Sequence, residues 1–299
     1  MDGTGGSRPD RGGSARAVII DAHRHYWDSS RLEYGWLAHA PAALQCSFLP
    51  PDIGAIRDAC ILVQAAPDER ETLFLFDLAR QTEGVLGVVG WVEMEADDAT
   101  QRIEALIGQG QGLLCGIRPM VQDIPDTEWL ARPSLDRAFD CLRDHGLVFD
   151  ALVDNRHLRA LSHRLTRHPG LITVVDHAAK PNIADREFAA WASAIARVAQ
   201  VPDVACKLSG LLTLTAPGND AAAIEPFVAH VFESFGGQRV MWGSDWPVLT
   251  THASYEQWKA RAQALVRRFA PRHEAAVFGG NATSIYSLHG RTTVLGRTA

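Results

Sequence analysis

Eight short apolar runs recur along the chain, separated by stretches of helical periodicity, and this alternation constrains the fold more than any other feature. The runs are AVIIDAH (17–23), CILVQA (60–65), VLGVVGWV (85–92), GLLCGIRP (112–119), GLVFDALV (146–153), LITVVDH (171–177), DVACKLSG (203–210) and RVMWGSDW (239–246). Their near-continuous apolar character predicts parallel strands buried on both faces. Helices are predicted between them over 68–81, 134–146 and 186–200, the last with its apolar residues on one face. Eight such repeats predict an α/β fold closed into a single-domain (β/α)8 TIM barrel rather than an open sheet. The chain has 299 residues, and such a barrel takes about 250. The barrel is expected over 17–287, after a Gly/Ser/Arg-rich disordered tail (1–16) and before a C-terminal tail (288–299).

A doubly wound nucleotide-binding sheet is the main competitor. It calls for G-x-G-x-x-G between a strand and a helix; GQGQG (108–112) has the wrong spacing and precedes a strand. The segment from Tyr26 to Arg57 is a long excursion after the first strand. In a barrel it would lie over the catalytic face, where it can act as a lid.

Composition narrows the function. A formal net charge of −6 lacks the basic footprint of nucleic-acid binding. No run of about 18 apolar residues is present to cross a membrane, and no apolar h-region follows the N-terminal tail, so the cytoplasm is the expected location. The five cysteines, Cys46, Cys60, Cys115, Cys141 and Cys206, are scattered and never in C-x-x-C spacing. They indicate neither disulfides nor a thiolate zinc site and are expected to be small buried hydrophobes.

Chemistry-bearing residues gather at strand ends. Asp21-Ala22-His23-Arg24-His25 closes the first strand. Residues two apart on a strand share a side, so His23 and His25 should project together and Arg24 away from them. Two convergent imidazoles can bind a divalent metal or polarise a substrate oxygen. His177 ends the sixth run and Asp245 the eighth, where a barrel delivers side chains to its catalytic face. A carboxylate at Asp245 can serve as general base toward water or as a metal ligand. The first and last strands of a closed barrel are neighbours, which brings these groups toward one another.

These residues resemble the amidohydrolase superfamily, in its amidohydrolase-2 branch. IDAHRHYWDSSRLEYGWL (20–37) is similar to the opening of the sugar-lactonase-like group, which includes L-fuconolactonases, L-rhamnonolactonases and pyrone-dicarboxylate lactonase. GIRPM (116–120), VVDHAAKP (174–181), CKLSGL (206–211), WGSDWPV (242–248) and FGGNATSIY (278–286) follow in the order of that group, over roughly residues 17–287. The resemblance implies hydrolysis of a small lactone, a sugar lactone foremost, to the hydroxy acid. His23, His25 and His177 would polarise the carbonyl, and Asp245 would take a proton from the attacking water. A lactone is an activated ester, so no cofactor is required; a divalent metal such as zinc, if bound, would be held by His23, His25 and Asp245. The fifth run carries Phe149-Asp150-Ala151 and no His, which weakens the case for a tightly held zinc. Substrate contacts are expected from Arg118, Trp27, Trp36, Trp246 and Lys207, although Lys207 can instead pair with Asp150. Asn281 is expected to anchor the last helix near the active face. A metal-dependent non-oxidative decarboxylase on the same barrel is the alternative. The expected partner is a small molecule, with no nucleic acid or membrane; a homo-oligomer is compatible.

Overall fold

The computed structural model describes residues 18–216, 221–289 and 291–292. The tail expected over 1–16, and the part of 288–299 beyond 292, lie outside the described residues. Among the described residues eight strands form: β1 (Ile20–Arg24), β2 (Ala59–Val63), β3 (Val85–Gly90), β4 (Leu114–Ile117), β5 (Val148–Ala151), β6 (Thr173–Val175), β7 (Val204–Leu208) and β8 (Val240–Trp242). Each falls within or within a residue of one of the apolar runs. They pair in parallel in the order β1 to β8. The cylinder closes where Arg24 bridges Trp246; His25 N–H donates to the Trp246 carbonyl and Asp245 N–H to the His23 carbonyl, both at 2.8 Å.

Helices α1 (Glu69–Gln81), α2 (Ala99–Gly110), α3 (Asp136–Asp144), α4 (Leu158–Arg167), α5 (Ala189–Val198), α6 (Glu225–Phe235) and α7 (Tyr255–Phe269) follow β2 to β8 in turn, and α8 (Asn281–Ile285) follows α7. The three helices read from the sequence are α1, α3 and α5. Local chemistry sets helix starts: the Asp68 side chain accepts from Arg70 N–H at the head of α1, and Ser254 and Gln257 form a reciprocal capping box on α7.

After β1 there is no α-helix. Residues 25–58 instead make short 3-10 turns (Gly35–His39, Ala42–Leu44, Pro50–Ile53) packed over the C-terminal ends of the strands. Trp27, Tyr34, Leu37 and Leu44 form a separate buried cluster there with Ala65 and Ala66.

Strand parity explains how the interior changes character along its axis. Val148 on β5, Val174 on β6 and Ala205 on β7 share one apolar interior layer. Two residues further on, at the same face of each strand, stand Asp150, Asp176 and Lys207, all fully buried. A dry hydrophobic floor thus gives way to a charged layer beneath the mouth. At the other end Tyr286 and Leu288 join the interior cluster. Leu288 is 1% exposed, so the packed body continues past residue 287, where the sequence reading ended it.

Two expectations need correction. Asn281 donates to the Gly237 and Val240 carbonyls at 2.9 and 2.6 Å. Val240 begins β8, so this latch sits at the N-terminal end of the barrel, opposite the active face. Four cysteines are buried, but Cys46, on the excursion, is exposed.

Candidate active site

Asp21, at the base of the histidine cluster, ties β1 to the end of β8. Its Oδ1 accepts from Ser244 N–H at 2.7 Å and its Oδ2 from Ser244 Oγ at 2.6 Å. Arg24 turns away as strand alternation predicts, donating to Asp21 at 3.0 Å and to the Tyr255 hydroxyl at 3.1 Å. With the strands fixed, His23 Nε2 and His25 Nε2 lie 3.0 Å apart, and the His23 and His177 rings meet edge-on at 4.5 Å. Asp245 Oδ1 is 3.3 Å from His25 Nε2, 3.7 Å from His23 Nε2 and 4.0 Å from His177 Nε2. The four residues singled out by sequence therefore converge on one point.

Small residues permit this approach. A Cβ on Gly243 would come within 2.6 Å of the His23 Cβ. Gly210, at φ +65°, has no room for a Cβ because His177 Nδ1 would lie 2.5 Å away. His177 begins a left-handed run: His177, Ala178, Ala179 and Lys180 have φ of 51°, 50°, 58° and 45°, and Asp245 has φ 58°. Non-glycine residues in that region are uncommon, and such strain concentrates where a fold must aim a side chain.

These groups open on a cavity of about 160 Å³ lined by His25, Trp36, Ala65, Arg118, Met120, Gln122, Leu152, His177, Lys180, Asp245 and Val248. Of the expected substrate contacts, Arg118 and Trp36 reach it. Trp36 Nε1 donates to the Ala65 carbonyl at 2.9 Å, and its ring packs edge-on against Trp27 at 5.2 Å. Trp27 does not reach the cavity: it is fully buried, and its Nε1 donates to the Cys46 carbonyl. Trp246 also faces inward, packed edge-on against Tyr26 and Phe48. Both aromatic rings are spent holding the excursion on the barrel. Lys207 lies below the cavity, with Nζ 2.5 Å from Asp150 Oδ2 and 3.0 Å from Asp176 Oδ1, so it makes the carboxylate pairing and is not exposed to substrate. His23 too is fully buried, beneath the wall made by His25 and His177.

Three contributors escaped the sequence reading. Asp176 anchors the charged layer: it accepts from Arg118 Nη1 at 3.3 Å, and its Oδ1 lies 3.4 Å from His23 Nδ1. Ser209 hydrogen-bonds His177 Nδ1 at 2.9 Å. Lys180 reaches the cavity through the left-handed run and donates to Gln122 Oε1. All three stand inside segments that carried the family resemblance, but adjacent to the residues that drew attention.

Electrostatics separate the roles. Burial, moderated by Asp245 and Asp176, depresses His177 to about 4. Burial likewise holds His23 well below its ordinary value, against Asp176. Asp245 goes the opposite way to most buried acids: burial raises it, but His177, His25 and His23 outweigh that and hold it well below the usual carboxylate range. At neutral pH an anionic carboxylate thus faces neutral His23 and His177, and Arg118 and Lys180 line the same cavity.

Among the described residues, two groups bring donor atoms within 4.8 Å of one another: His23, His25 and Asp245, and His23, Asp176 and His177. Nitrogen and carboxylate donors at these separations suit a divalent ion such as zinc. Among the described residues no helix is long and apolar enough to cross a membrane.

The family model described as amidohydrolase matches residues 20–288. An L-fucono-1,5-lactonase of Burkholderia ambifaria is 40% identical over 278 residues, covering 90% of this chain and 95% of that protein. An L-fucono-1,5-lactonase of Burkholderia multivorans is 31% identical over 289 residues, covering 91% of this chain and 97% of that protein. The crystal structure of an amidohydrolase from Burkholderia multivorans with bound zinc matches with a TM-score of 0.82 at 31% identity, over 91% of this chain and 100% of that one.

Proposed function

The chain belongs to the amidohydrolase family, and we propose that its barrel hydrolyses a small sugar lactone to the corresponding hydroxy acid. The observation that carries this reading is the convergence of His23, His25 and His177 on the Asp245 carboxylate, in a chain 40% identical to an L-fucono-1,5-lactonase along nearly its whole length.

Asp245 orients the attacking water and takes its proton. As the water oxygen bonds to the carbonyl carbon, negative charge develops on the carbonyl oxygen. His177 polarises that oxygen, aided by Arg118 and Lys180, whose charges reach the same cavity. His25 stands beside Asp245, and His23 supports both from beneath. Collapse of the tetrahedral intermediate breaks the ring C–O bond, and Asp245 returns its proton to the leaving alkoxide. The carboxylic acid formed then ionises, so each turnover releases one proton. A carboxylate as weakly basic as Asp245 needs this oxyanion stabilisation; an activated ester places a smaller demand on it than an amide would. Trp36 offers an aromatic face to the ring.

No bound ion is required by this scheme. The donor set fits one nonetheless: His23, His25 and Asp245 would hold it, and it would supply a more acidic bound water. The lyase alternative is less favoured. Asp150 on β5, a strand without a histidine, is engaged by Lys207 and by the Tyr286 hydroxyl at 2.6 Å.

A panel of sugar lactones assayed by proton release, with and without chelator, tests the proposal. Turnover of sugar lactones that survives chelation is expected. Failure to open any lactone would overturn the function, and complete loss on chelation would overturn the metal-independent scheme.

A further inference from the structure

Lys207 lies on the wrong side of the histidines to touch substrate, yet its ammonium is directed at one of them. Its Nζ is 3.2 Å from His23 Nδ1. An ammonium only donates, so His23 Nδ1 must accept, and a neutral His23 then carries its proton on Nε2. At the other end, His25 Nδ1 lies 2.7 Å from the Val63 carbonyl. A carbonyl only accepts, so His25 Nδ1 carries a proton and a neutral His25 has its lone pair on Nε2. The two assignments come from opposite ends of the cluster and agree in the middle, where His23 Nε2 and His25 Nε2 are 3.0 Å apart. One donates and the other accepts.

The reverse arrangement fits worse. It would aim His23 Nδ1–H at Asp176 Oδ1, at 3.4 Å, and set that hydrogen against the Lys207 ammonium. Among the described residues, the donor left for His23 Nε2 would be Arg118 Nη1, also at 3.4 Å. It would also face two imidazole lone pairs across 3.0 Å.

We propose that Lys207 is a positioning residue that sets the proton positions of the histidine pair, through a directed chain from Lys207 through His23 and His25 to Val63. Two consequences follow for the site. His25 Nε2 spends its single lone pair on the His23 Nε2–H, so Asp245, whose Oδ1 lies 3.3 Å away, is the group left to accept a hydrogen of the attacking water. His23 Nε2 carries a proton that a metal ion would have to displace, so Lys207 weakens ligation there without excluding it. This inference rests on the proposed hydrolysis only for its use of the water; the proton positions stand independently.

The test is imidazole nitrogen NMR on the full-length, metal-stripped protein at neutral pH, with the His23 and His25 signals assigned from the His23→Asn and His25→Asn variants. The wild type is expected to show the Nε2–H tautomer at His23 and the Nδ1–H tautomer at His25. An Nδ1–H tautomer at His23 overturns the proposal whatever any variant does. In Lys207→Met, His23 is expected to switch to Nδ1–H, and zinc affinity measured by competition with a chromophoric chelator to rise at least tenfold. A folded Lys207→Met protein with unchanged tautomer and zinc affinity would also overturn it. If that variant does not fold, the wild-type spectrum decides. A protein with the expected tautomers that opens no lactone would sink the functional reading and leave the role of Lys207 intact.

Discussion

His177 and Asp245 face each other with 4.0 Å between imidazole Nε2 and carboxylate Oδ1, and both residues hold left-handed backbone conformations. Such conformations cost on the order of 1–3 kcal/mol each and persist where the surrounding structure over-determines them. Here Gly210 and Ser209 back His177, and the β8–β1 closure backs Asp245. The fold accepts strain at the two residues whose relative position matters most for opening an ester.

Burial of His177 links folding to pH. Its folded value is about 4 against an ordinary 6.5. Between those values the unfolded chain binds the proton and the folded chain does not. This contribution to stability is intact above about pH 6.5 and is lost as pH falls toward 4, by about 3 kcal/mol in the limit. Urea unfolding of wild type and His177→Asn at about pH 7.5 and about pH 4.5 checks it. The variant should lose less stability on acidification; equal losses would count against the assignment.

Trp36 is expected to act on binding rather than on chemistry. It walls the cavity and is pinned by the Ala65 carbonyl. Trp36→Ala should raise KM about tenfold, equivalent to ~1.4 kcal/mol of binding, with a smaller change in kcat. Steady-state kinetics on the best lactone decides; a loss confined to kcat would place Trp36 in another role.

Asn281 should behave in the opposite manner. Its two donors satisfy carbonyls at the barrel end remote from the cavity. Asn281→Ala should cost about 1–3 kcal/mol of stability and leave kcat/KM at the wild-type level under conditions where the variant is folded. Thermal unfolding and kinetics on the same preparation separate the two effects.

The parallel strands were legible because each is buried on both faces, which writes them as apolar runs such as VLGVVG at β3. The four convergent residues were legible because barrels deliver function at strand ends. Asp176 and Lys207 were harder to place. Each hides among apolar neighbours, and their meaning lies in long-range contacts to His23 that no local spacing encodes. The left-handed run through Lys180 had no glycine to betray it. Trp27, Trp36 and Trp246 could not be told apart from sequence, because which ring faces substrate depends on how the excursion folds back over the mouth.

The most direct test of the account is the proton-release rate of Asp245→Asn on the best sugar lactone, beside wild type stripped of metal. The account predicts a kcat about 10²–10⁴-fold lower in the variant, with folding unimpaired and stripped wild type still active. A variant that turns over lactone at the wild-type rate would contradict it.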